Sequence, residues 1–116
     1  MATEPVPAGL TVEVTRTGEI AVVHCSGRLV AGVTGLLYTE VKKLIPDCKQ
    51  ITLDLTHLSQ MDSMGIGTVV RLYVSAKSTG SELRLINLGK RIREVLGVTG
   101  LLSVFSVVGE DGVRLP

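Results

Sequence analysis

The sequence predicts a single α/β domain built on a mixed, mostly parallel sheet with helices packed on it, and three observations carry that expectation. A chain of 116 residues with 45% apolar content is long enough to close one core without disulfides or metal. It opens with two consecutive segments of strand character, which reads as a hairpin. After Gly27, helical periods alternate with short strand-like runs, giving the order ββαβαβαβ. Strand–helix–strand units force parallel neighbours, while the opening hairpin adds an antiparallel member.

Each element has its own signal. Residues 1–9 contain Pro5 and Pro7 and read as a mobile leader. In the first strand Leu10, Val12 and Val14 alternate with Thr11, Glu13 and Thr15, so one face is wet. Residues 16–19 hold Thr17-Gly18 and make the turn. Residues 20–25 are almost continuously apolar, which predicts a strand buried on both faces. Val33, Leu36, Leu37, Val41, Leu44 and Ile45 then fall on one helical stripe that Pro46 and Asp47 stop. "ITLDL" is a third strand ending at Leu55. Ile66, Val69, Val70, Tyr73 and Val74 form the apolar stripe of a second helix whose polar face carries Arg71, Ser75, Lys77 and Ser78; Gly80 ends it. "ELRLIN" is a fourth strand. Leu88, Ile92, Val95 and Leu96 mark a short third helix ended by Gly97, and the last strand lies within residues 101–108. The domain is expected over 10–110, with a tail over 111–116.

Composition narrows the function classes. Aromatics make up 3% of the chain and tryptophan is absent, which disfavours nucleic-acid binding by base stacking. A net charge of +1 provides no field for polyanions or anionic membranes. The basic run Gly89 to Arg93 contains core-facing Ile92 and precedes Glu94, so it reads as a solvated helix face. No apolar run approaches the roughly 18 residues of a membrane span. The opening "MATEPVPAGL" lacks the basic start and apolar run of a signal peptide. Cys25 sits in an apolar run and Cys48 in a polar turn, without metal-ligand spacing, and a reduced cytoplasmic setting is the simplest expectation.

The stretch "SQMDSMGIGTVV", residues 59–70, stands out: a hydroxyl behind an acid and in front of two glycines. A hydrolase elbow needs G-x-S-x-G, but position 61 is Met; His24 lies inside a strand and His57 in the loop region before Ser63. A phosphate loop needs Gly-Lys-Ser/Thr, which the chain lacks, and the dinucleotide pattern begun by Gly65 and Gly67 meets Val70 where its third glycine belongs. No His, Cys, Asp or Glu cluster has metal spacing. The reading is therefore non-enzymatic, without cofactor or metal. Asp62 or Ser63 suits a helix N-cap. The cap alone does not need both residues, nor glycines that cost about 1 kcal/mol each in a helix interior. A hydroxyl left open on a first turn is accessible to a kinase, and its phosphate would sit at the positive end of the helix dipole.

"LDLTHLSQMDSMGIGTVV" resembles the signature of STAS domains, in particular the bacterial anti-sigma factor antagonists. Gly27-Arg28-Leu29 resembles the Gly-x-Leu/Ile before the first helix in that family, residues 80–85 its Gly-Gly/Ser-x-Leu-x-Leu strand entry, and "VLGVTGLLSVF" its late Thr-Gly-Leu element. The resemblance runs in order from about residue 10 to 108. It implies a regulatory phosphorylation site at Ser63. It also implies an anti-sigma factor, usually a serine protein kinase, as partner, and a phosphatase that resets the switch. The surface it implies for partner binding comprises Asp62, Ser63, Met64, Gly65, Gly67 and Val30, and it leaves a homodimer open. Stressosome-like scaffolds and subunits of lipid-transport ABC complexes are the alternative, with the same surface in constitutive contact. Two residues depart from the pattern: Met64 replaces the usual Ser or Thr, and Val30 replaces the usual acid. Both changes make the expected contact surface more apolar.

Overall fold

The structure, a computed structural model, describes residues 9–100 together with the backbone of 106–108 and 114–115. The expected leader, apart from Gly9, lies outside the described residues. The elements run β1 (Leu10–Thr17), β2 (Ile20–Leu29), α1 (Thr34–Leu44), β3 (Gln50–Met61), α2 (Ser63–Ser78), β4 (Glu82–Ile86), α3 (Lys90–Val98), β5 (Ser106–Val108) and β6 (Arg114–Leu115). They form one sheet in the order β1-β2-β3-β4-β5-β6. β1–β2 and β5–β6 pair antiparallel, and the three central pairings are parallel. The mixed, mostly parallel α/β domain expected from the sequence is therefore present. β6 extends the sheet within the stretch read as a tail, through a pairing with β5 that no local pattern announces.

The strand order never doubles back, so right-handed crossovers carry all three helices to one face. Leu37 and Val41 of α1, Val69 and Leu72 of α2 and Ile92 and Leu96 of α3 join Ala21, Val23, Ile51, Leu53, Leu83 and Leu85 in a single buried cluster. On the other face Val22, His24, Asp54, Arg84 and Ile86 remain partly exposed. This corrects the expectation that β2 is buried on both faces. Its apolar run alternates between a buried and a half-buried side because the helices cover one side only.

Three more expectations shift. α2 buries Gly65, Thr68, Val69, Leu72 and Ala76, and Ile66, Val70 and Tyr73 pack partly buried against the core, whereas Val74 is 57% exposed. The helix carries two overlapping apolar stripes, and the inward one includes Thr68 because its hydroxyl donates to the Met64 carbonyl at 3.0 Å. Leu36, placed on the α1 stripe, is also exposed. Gly97 lies inside α3, which runs on to Val98 with Thr99 as its C-cap and Gly100 following at φ +78°. Of the last strand expected within 101–108, residues 101–105 lie outside the described residues.

β2 and β3 are longer than their apolar runs. They stay paired through Leu29 and Met61, with irregular register between His24 and Ser26 and between Gly27 and Arg28. His57 is consequently a strand residue, exposed and opposite Ser26, not a loop residue. β4 pairs with β3 only as far as Asp54. The β2–β3 ribbon thus projects beyond the end of β4 and carries the start of α2 at its tip.

Candidate functional site

At that tip the backbone turns from β3 into α2 across Asp62. This residue is extended, with φ −107° and ψ −173°, and it is the N-cap. Its Oδ1 accepts from the Met64 and Gly65 amides, both at 3.0 Å. Its Oδ2 accepts from the Ala31 amide at 3.0 Å, and its own amide donates to the Leu29 carbonyl at 3.3 Å. One side chain therefore satisfies two free donors of α2 and ties the β2–α1 loop to the same point. The bond from the Ala31 amide, then that from Gly65, hold the Asp62 carboxyl below the ordinary carboxylate range.

Because Asp62 caps the helix, Ser63 does not have to. Ser63 is the first residue of α2, exposed, and its hydroxyl makes no hydrogen bond among the described residues. Neither histidine engages it: His24 pairs through Nδ1 with Asp54 Oδ2 at 3.0 Å on the open sheet face. Asp54 also accepts from Thr56 and Asn87. Burial pushes the Asp54 carboxyl up, but the bonds from Thr56, Asn87 and His24 outweigh it, and the group sits below its ordinary value. Among the described residues no three His, Cys, Asp or Glu side chains converge to hold a metal ion.

The remaining residues of the motif divide by direction. Gly65 is buried beneath the helix start, where an added Cβ would stand 2.2 Å from the Leu29 carbonyl oxygen. Gly67 is exposed, with nothing within 4 Å of such a Cβ. Met64 is 56% exposed beside Ser63. Val30 is half-buried in the loop that Asp62 holds through Ala31. The structure thus brings Val30 and residues 62–67 to one end of the molecule. Leu29 and Ala31 belong there too, but they contribute backbone groups, for which residue type carries no signal.

The STAS domain family profile matches residues 11–111. The chain belongs to the STAS domain family. Among relatives, this STAS domain is 34% identical over 62 residues to the anti-sigma-B factor antagonist of Listeria monocytogenes, a match that covers 53% of this chain and 54% of that protein. The chain thus spans about half the length of that relative. An anti-sigma factor antagonist from Mycobacterium paratuberculosis has a similar structure, with a TM-score of 0.78 at 19% identity over 88% of this chain and 87% of that one. The Bacillus cell fate determinant SpoIIAA in its phosphorylated form has a TM-score of 0.67 at 22% identity over 88% and 93% of the two chains. At these identities the structural likeness shows the shared fold.

Proposed function

We propose that this STAS domain is an anti-sigma factor antagonist, a non-enzymatic switch. It binds an anti-sigma factor with serine kinase activity while Ser63 is unmodified. It releases that partner on phosphorylation, which controls transcription, and a phosphatase restores the binding state. The observation that carries the reading is the division of labour at α2, where Asp62 caps the helix and leaves the Ser63 hydroxyl exposed and uncommitted. The names of the similar proteins support the same reading. A phosphate would add about −1.5 to −2 charges beside Asp62. At a helix N-terminus that charge is tolerated by the fold, but in a packed interface beside a carboxylate it must be desolvated against repulsion. The reading implies a cytoplasmic setting.

The test is titration of the unmodified protein, the phosphorylated protein, Ser63→Asp and Ser63→Ala against a purified anti-sigma factor with serine kinase activity from the same organism. Unmodified protein and Ser63→Ala bind; the phosphorylated form binds far more weakly, and Ser63→Asp lies between. Equal affinity for all four removes the switch. In its place would stand a constitutive scaffold or subunit, a reading favoured by the apolar residues Met64 and Val30 beside the serine.

A further inference from the structure

α2 has an exposed side, with an apolar residue at each end, that the core does not use. Met64, Gly67, Arg71 and Val74 recur at i, i+3, i+7 and i+10 and so share one side of the helix. All four are exposed, and the two apolar members are 56% and 57% exposed. Gly67 is a poor helix former with no close approach to accommodate, since a Cβ there would meet open space. Its absent side chain leaves a flat spot between Met64 and Arg71. Arg71 is held in place rather than free: its guanidinium carbon lies 4.8 Å from the ring centroid of Tyr38 on α1, and Lys42 Nζ lies 5.8 Å from the same ring. Among the described residues neither cation has a carboxylate within ion-pair distance, in contrast to Lys43, which pairs with Glu40. Two cations fixed around an aromatic ring beside exposed apolar residues are pre-organised for carboxylates.

We propose that this side of α2, with Tyr38 and Lys42 alongside, is a docking surface for a partner segment that presents an apolar contact flanked by carboxylates. The contact then runs about 16 Å down α2, at 1.5 Å per residue, instead of stopping at the helix tip around Ser63. The inference rests on the reading of the chain as an anti-sigma factor antagonist. It deepens that reading by naming the chemistry of the partner's face.

The experiment uses the purified serine-kinase anti-sigma factor encoded in the same genome as probe. Wild type, Val74→Ser and Arg71→Glu are titrated against it, each with a thermal melt, and hydrogen exchange is recorded on the wild-type complex. Val74→Ser and Arg71→Glu each lower affinity at least tenfold with melting temperatures close to wild type. The complex protects residues 64–74 and 38–42, and added salt weakens wild-type binding more than that of Arg71→Glu. If Val74→Ser and Arg71→Glu bind as wild type does, and protection stops at about residue 66, the surface is overturned while the Ser63 switch stands. If the wild type does not bind, both readings fall.

Discussion

A Cβ at Gly65 would collide with the Leu29 carbonyl oxygen, whereas one at Gly67 would face solvent. The two glycines of one motif therefore answer to different constraints, and alanine separates them. Gly65→Ala must push α2 off the end of β2, which lowers stability by about 1–3 kcal/mol, the range for an overpacked site. Gly67→Ala raises it by up to about 1 kcal/mol through helix propensity. Chemical denaturation of both variants checks the pair, and equal effects would refute the assignment. Asp62 gives a second prediction at this scale. Its carboxyl titrates near 3.8 when unperturbed and lower in the folded protein. Its stabilising contribution is thus complete well above pH 3.8 and is lost as pH falls through the folded value. Asp62→Asn keeps one capping oxygen but no charge. The melting temperature of the wild type should exceed that of Asp62→Asn at pH 7, and the gap should narrow as pH falls below 3.8. A gap that persists unchanged would show that the charge is not what Asp62 contributes.

In α2 the inward stripe consists of Gly65, Thr68, Val69, Leu72 and Ala76, so truncations should discriminate along the helix. Leu72 is fully buried, and Leu72→Ala should cost about 2–5 kcal/mol. Val74→Ala should stay within about 0.5 kcal/mol, as surface substitutions do. Reversed magnitudes in denaturant melts would restore the stripe read from the sequence. That stripe held at Val69, which is buried, and at Ile66, Val70 and Tyr73, which pack partly buried against the core; it failed at Val74, which satisfies the helical period as well as Leu72 and Ala76 do, because only the sheet decides which side turns inward. Strands were legible where alternation or an apolar run was intact. The outer halves of β2 and β3 were not, because "THLSQ" is polar enough to read as loop and the pairing passes two register shifts. The geometry of the candidate site was legible where side chains carry it, at the Asp62 cap and the exposed Ser63. It was illegible where main-chain groups of Leu29 and Ala31 complete it, and so was the contact of Arg71 with Tyr38 across two helices.

Across the whole molecule, one-sided helix packing concentrates burial on the middle of the sheet. Ile51, Leu53 and Leu55 of β3 are buried, and β3 has strands on both sides. β1, at the edge, is mostly exposed beyond Leu10. Amide exchange should therefore be slowest in residues 51–55 and faster along the outer edge of β1, as followed by mass spectrometry. Equal protection in both would contradict a core centred on β3. The same packing hides both cysteines. Cys25 and Cys48 are free and buried, and burial, with the nearby Asp54 charge, pushes the Cys25 thiol up to about 12. A maleimide reagent at neutral pH should accordingly leave the native chain almost unlabelled. A thiol placed at the helix tip by Ser63→Cys would then react alone, so a fluorophore could report events at that end without first stripping the protein of its own sulfur.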